Sequence, residues 1–165
     1  MPPRRRSRLL ALAIAAGAVA CAAPAANAAL EGPTPVKHER RHAKPSLGGR
    51  AATVALKAVG IPYRWGGASP ASGFDCSGLV HWAYSRVGVS VPHSSYALYE
   101  LGRSVRRSRM RPGDVVFFSG LGHVGMYLGR GRMVHAPHSG RTVEVVNLRR
   151  SHYGDRLVGA RRIVR

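Results

Sequence analysis

The stretch PGDVVFFSGLGHVGMYLGRGRMVHAP, residues 112–137, decides how this chain folds. After Pro112-Gly113, the run Val115, Val116, Phe117 and Phe118 reads as a strand, and Val124, Met126 and Leu128 alternate as a second. Met133 to Ala136 is a third, joined to the second by the hairpin turn Gly129-Arg130-Gly131. Past the Ser139-Gly140 turn, Thr142 to Val146 and Leu157 to Val164 complete a five-stranded antiparallel meander.

Upstream the period changes. Ala51, Ala52, Val54, Ala55, Leu56 and Val59 predict an apolar helix closed by Gly60 and Pro62. Gly66, Gly67, Ser69, Pro70, Ser72 and Gly73 form a loop, from which a second helix runs from about Cys76 through Leu79, Val80, Trp82, Ala83 and Val87 to Gly88. A third covers about Ser95 to Leu101. Helices first and strands after predict an α+β fold, with N-terminal helices packed on one face of a five-stranded antiparallel sheet. No internal repeat and no second domain is visible.

The N-terminus has a different character. Arg4, Arg5, Arg6 and Arg8 precede the apolar run Leu9 to Ala20, too short for a stable bilayer anchor, and Ala26-Asn27-Ala28 offers a small-x-small cleavage site. Residues 1–28 are therefore expected to be an export signal and the protein to be secreted. Cys21 follows Ala18-Val19-Ala20, a poor match to a lipoprotein cleavage site, so free secretion is expected over a lipid anchor on Cys21. Arg8 stands where twin-arginine export wants an apolar residue. Residues 29–47, with Pro33, Pro35, Pro45, Lys37, Arg40, Arg41 and Lys44, read as a basic, solvated linker, leaving 48–165 as the folded domain.

Charge and cysteine usage narrow the function. The whole chain carries a net charge of +19; without residues 1–28 there remain 22 Lys and Arg against 7 Asp and Glu, a net +15. Such an excess favours polyanionic partners, which outside a cell are wall polymers and anionic membrane surfaces. The basic residues are scattered with no aromatic interleaving, which argues against nucleic-acid binding. Loss of Cys21 with the signal leaves Cys76 as a single exported thiol, unable to form an internal disulfide. It is either buried and inert or chemically used.

Asp75-Cys76-Ser77-Gly78 sits where the glycine-rich loop enters a helix. Unpaired backbone N–H groups and the positive end of the helix dipole there stabilise a thiolate, and the Cys76 N–H can donate to an oxyanion. Asp75 reads equally well as the helix cap. A thiol nucleophile needs a base, usually histidine. His38 and His42 lie in the linker, His81 points away from Cys76, and His93, His138 and His152 fall in loops where solvation is the default. His123 and His135 differ, because they sit on adjacent predicted strands. With Gly129-Arg130-Gly131 as a three-residue loop, Leu128 pairs with Arg132 and Gly125 with His135, placing His123 and His135 on one face as diagonal neighbours. A register change of one residue would separate them.

His38-Glu39-Arg40-Arg41-His42 matches the H-E-x-x-H pattern of zinc peptidases. That motif needs a buried helix beside an open zinc position, and here it lies between prolines with nothing to bury it. Neither metal nor cofactor is expected.

Five blocks together resemble the NlpC/P60 family: Ile61 to Gly67, Phe74 to Val80, Pro112 to Phe118, Gly122 to Gly129, and Val134 to Pro137, in order and spanning roughly residues 48–165. The resemblance implies a papain-like α+β fold and hydrolysis of stem-peptide bonds in bacterial peptidoglycan. It implies Cys76 as nucleophile, His123 as base and His135 as the polar residue orienting it. Tyr63 would place its hydroxyl near the oxyanion or substrate, and Asp75 and Ser77 would help hold the stem peptide; Tyr63 and Trp65 read equally well as core. The usual family bond is D-γ-glutamyl to diaminopimelate. Alternatives of the same fold are a peptidoglycan amidase or acyltransferase, and outside catalysis a wall-binding module. The expected partners are peptidoglycan stem peptides and anionic wall polymers, met by a monomer.

Overall fold

In the computed structural model the described residues are 44–164. The expected export signal with Cys21, and His38 and His42 of the linker, lie outside them. In chain order the elements are α1 (Leu47–Leu56), β1 (Ala68–Ser69), β2 (Gly73–Phe74), α2 (Cys76–Ser85), α3 (Ser95–Tyr99) and β3 (Arg103–Ser104). After a 3-10 turn at Arg107–Arg109 come β4 (Val115–Phe118), β5 (Val124–Gly129), β6 (Arg132–His135), β7 (Glu144–Asn147), α4 (Tyr153–Arg156) and β8 (Leu157–Arg162). The α+β class is as expected. The sheet differs: it has six strands in the order β3-β8-β4-β5-β6-β7, all pairs antiparallel, with β1-β2 a separate small hairpin. Only β4 to β7 form a meander; β8 returns to the free side of β4, and the exposed pair Arg103–Ser104 extends that edge.

Every residue of β4 is buried, because both faces of the sheet are covered. Val115 and Phe117 pack with Val124, Met126 and Val134 against the helices, through Ala51, Ala52 and Ala55 of α1 and Leu79, Val80 and Ala83 of α2. Val116 and Phe118 face the other way, with Met133, Leu148 and Ala160. α1 starts at Leu47, inside the expected linker boundary, because the Ser46 hydroxyl accepts from the Gly49 N–H and caps it. Its small face brings the chain at Gly48 against Gly113, whose φ of 94° and lack of a side chain permit the contact. Tyr84 of α2 donates its buried hydroxyl to the Gly113 carbonyl at 2.7 Å, tying α2 to the approach of β4. On the far side Asp114, 2% exposed, accepts from both Nε and Nη2 of Arg162 at 2.7 Å, fixing β8 beside β4.

The β5–β6 hairpin solves the register question in an unexpected way. Gly129 pairs with Arg132 across a two-residue turn, Arg130-Gly131, and Leu128 is bulged out before the ladder resumes at Tyr127 with Met133 and Met126 with Val134. The extra residue restores the alignment that a three-residue loop would have produced. His135 therefore ends β6 on the face of Met133, and His123 immediately precedes β5.

Candidate active site

The loop from Tyr63 to Asp75 is folded by its own backbone. Phe74 accepts from Arg64 N–H and donates to the Pro62 carbonyl, and Asp75 N–H donates to the Gly67 carbonyl. Gly78 lies so close to that carbonyl that no side chain fits there, which lets the first turn of α2 press on the loop. Asp75 caps α2: Oδ1 accepts from Gly78 N–H at 2.7 Å and from the Ser77 hydroxyl at 3.2 Å, while Oδ2 accepts from Gly66 N–H at 2.9 Å. His93 adds Nε2 at 2.8 Å.

Cys76 is the first residue of α2 and partly exposed. Its thiol donates to the Gly122 carbonyl at 3.9 Å, the residue before His123. Burial pushes the thiol pKa up and the Asp75 carboxylate adds to this, outweighing backbone N–H groups of Val124, Ser77 and Cys76 that favour the thiolate. The helix start thus acts in the expected direction but does not win, and Cys76 rests as a thiol.

His123 Nε2 lies 2.9 Å from His135 Nδ1, with ring centroids 5.2 Å apart and planes at 78°. That contact leaves His123 Nδ1 as its second nitrogen. Burial lowers the pKa of His123 to about 4 and that of His135 to about 3, helped by the charge of Arg156 for the first and, for the second, by the repulsion that two protonated rings would feel. Both imidazoles are neutral at pH 7. His135 is wholly buried. The Tyr153 ring packs on both, 5.6 Å from His123 and 4.8 Å from His135 between centroids.

Tyr63 is half-buried beside the same core as Cys76, and its N–H donates to the Arg141 carbonyl at 2.8 Å. Burial raises its pKa, and the charges of Cys76 and Asp75 raise it further. Asp75 and Ser77 are 8% and 7% exposed, their polar atoms engaged with one another and with Gly66, Gly78 and His93. Trp65 is not core: it is 89% exposed.

The structure therefore brings Cys76, His123 and His135 to one end of the sheet, with Tyr63 and Asp75 alongside. Three neighbours were not legible in sequence: His93, taken as solvated; Tyr153, on a helix of a single turn; and Glu144, opposite His135 in the β6–β7 ladder. His81 does point elsewhere, its Nδ1 2.6 Å from the Val91 carbonyl. Among the described residues no group of His, Cys, Asp and Glu side chains is arranged to hold a metal ion. What the arrangement offers chemically is a thiol against the backbone on either side of His123, and a neutral His123 imidazole with one nitrogen held by a second imidazole.

The model of the NlpC/P60 family matches residues 60–162. A probable endopeptidase of Mycobacterium tuberculosis is 52% identical over 102 residues, 60% of this chain and 26% of that protein. Murein DD-endopeptidase MepH of Escherichia coli is 38% identical over 117 residues, 66% of this chain and 43% of that one. Among solved structures, an NlpC/P60 family protein of Bacillus cereus superposes with a TM-score of 0.66 at 35% identity, over 72% of this chain and 40% of the other. The chain thus spans between about a quarter and less than half the length of these curated relatives.

Proposed function

The chain belongs to the NlpC/P60 family, and on that premise we propose that it is a secreted cysteine endopeptidase cleaving the stem peptides of peptidoglycan. The reading is supported by the contact of Cys76 Sγ with the carbonyl of Gly122, the residue before His123, and by the bond from His123 to His135. Because thiol and imidazole both rest neutral, the proton moves as the bond forms. Cys76 sulfur attacks the amide carbonyl while His123 Nδ1 takes the thiol proton. The Cys76 N–H donates to the developing oxyanion. His123 then passes the proton to the leaving amine, and water, deprotonated by the same imidazole, releases the acid and regenerates the thiol.

The bond proposed is D-γ-glutamyl to diaminopimelate. Curated relatives carry both names, MepH as a DD-endopeptidase and CwlT of Bacillus subtilis as a bifunctional muramidase/DL-endopeptidase. Digestion of purified muropeptides, read by mass spectrometry, tests this: release of disaccharide-dipeptide supports the γ-glutamyl bond. Cleavage of cross-links alone overturns that choice, and loss of activity with a chelator overturns the thiol mechanism.

Export through residues 1–28 and affinity for anionic wall polymers belong to the same proposal. A groove of about 750 Å³ lined by Arg103, Arg106, Arg109, Arg111 and Arg162 supports the second. Binding to isolated wall should weaken with added salt; salt-independent binding would count against it.

A further inference from the structure

We propose that Glu144 is a positioning residue that holds His135 in the tautomer with its proton on Nε2. The inference rests on the proposed role of His123 as base. His135 is wholly buried, its Nδ1 is taken up by His123, and its Nε2 has no hydrogen-bond partner among the described residues. In the β6–β7 ladder Glu144 stands directly opposite, and its Oε1 lies 3.7 Å from that nitrogen. Its other oxygen, Oε2, accepts from Arg141 Nη2 at 2.6 Å, which keeps the carboxylate in place.

The bond between the two histidines allows two proton arrangements with opposite consequences. For His123 to take a proton from Cys76, its Nδ1 must carry a lone pair. Its own proton is then on Nε2 and donates to His135 Nδ1. Neutral His135 must in turn carry its proton on Nε2, buried and in need of an acceptor. Glu144 is the acceptor that stands there, and a small rotation shortens 3.7 Å to a hydrogen bond. The reverse arrangement turns a lone pair of His135 toward a carboxylate and puts the His123 proton on Nδ1, where it cannot accept from the thiol. An acceptor oxygen beside His135 Nε2 thus selects the productive state. Among the described residues the other groups near this pair are the Tyr153 phenol, the guanidinium groups of Arg141 and Arg156 and the imidazoles of His138 and His152, none of them a competing carboxylate.

The test is the imidazole nitrogen NMR spectrum of the full chain near pH 7, comparing wild type with Glu144→Gln and Glu144→Leu. Wild type and Glu144→Gln, which keeps an acceptor oxygen, should show His135 protonated on Nε2. Glu144→Leu should shift it toward Nδ1 and lower kcat about tenfold with KM unchanged, the low end for an outer partner of a functional histidine. A wild-type His135 protonated on Nδ1, or one tautomer in all three proteins, overturns the proposal. Should Glu144→Leu not fold, Glu144→Ala takes its place at this partly exposed position. The spectrum needs no substrate, so the two readings fail separately. An inactive wild type with the expected tautomer sinks the peptidase, and an active one with the wrong tautomer sinks the role of Glu144.

Discussion

His135 stands behind His123 with its Nδ1 2.9 Å from the latter's Nε2 and its ring nearly perpendicular, so one imidazole fixes the other's orientation and the identity of its free nitrogen. The residue behind His123 is itself titratable and wholly buried.

Loss of that support should slow the chemical step. His135→Ala should lower kcat about 100-fold, with KM changed less than threefold, because the thiol and the cleft stay in place while the base loses its orientation. Steady-state kinetics on a purified muropeptide check this. An unchanged kcat would remove His135 from the account.

The depressed histidine pKa values set the pH behaviour. His123, the proposed base, is neutral above about pH 4, so kcat/KM should hold down to about pH 5, well below the 6.5 of an ordinary histidine. Stability follows the same groups. In the unfolded chain both protonate near 6.5, whereas in the fold they do so near 4 and 3, so the unfolded state binds more protons between these values. The stabilisation is complete above pH 6.5 and is lost as pH falls toward the folded values, with a slope of about 1.4 kcal/mol per pH unit for each histidine. Chemical denaturation at pH 7 and pH 5 measures it, and a protein equally stable at both would contradict the burial.

Asp75 should matter to the fold as well as to the site. Asp75→Ala removes the α2 cap together with the bonds to Gly66 and His93, and should cost about 2 kcal/mol. It should also lower the Cys76 pKa, since the carboxylate raises it. Thiol alkylation as a function of pH reads the second effect, and thermal unfolding reads the first.

Arg162 offers a control far from the thiol. Arg162→Ala leaves Asp114 buried without its partner and should destabilise by about 3–5 kcal/mol, while turnover of a small soluble muropeptide per folded molecule, which does not use the basic groove, remains near wild type. Equal melting temperatures would show that the pair adds nothing to the fold.

Much of the fold is legible in the sequence because apolar periodicity carries it. Val115 to Phe118, the alternation Val124, Met126 and Leu128, and the helix from Cys76 all lie close to where the pattern puts them. What escapes is short or long-range. Arg103–Ser104 is a two-residue exposed edge with no apolar signal, and Tyr153–Arg156 is one turn, too brief for a helical period. The bulge at Leu128 is a matter of local twist that residue types do not announce. In the site, Cys76 is legible as a lone thiol at a helix start, and His123 and His135 as a pair by strand parity. The contacts of His93 with Asp75 and of Tyr153 with both histidines depend on how separate loops return to the sheet end. The resting state of Cys76 escapes for another reason: a helix start favours the thiolate, but burial and Asp75, visible only in three dimensions, outweigh it.

The mechanism proposed above turns on attack of the Cys76 sulfur on the stem peptide. Its most direct measurement compares wild type with Cys76→Ala on purified disaccharide-tetrapeptide, following product by mass spectrometry, with circular dichroism confirming equal folding. Wild type should turn the substrate over, at a rate at least about 1,000-fold above that of the variant. Comparable turnover by Cys76→Ala would contradict it.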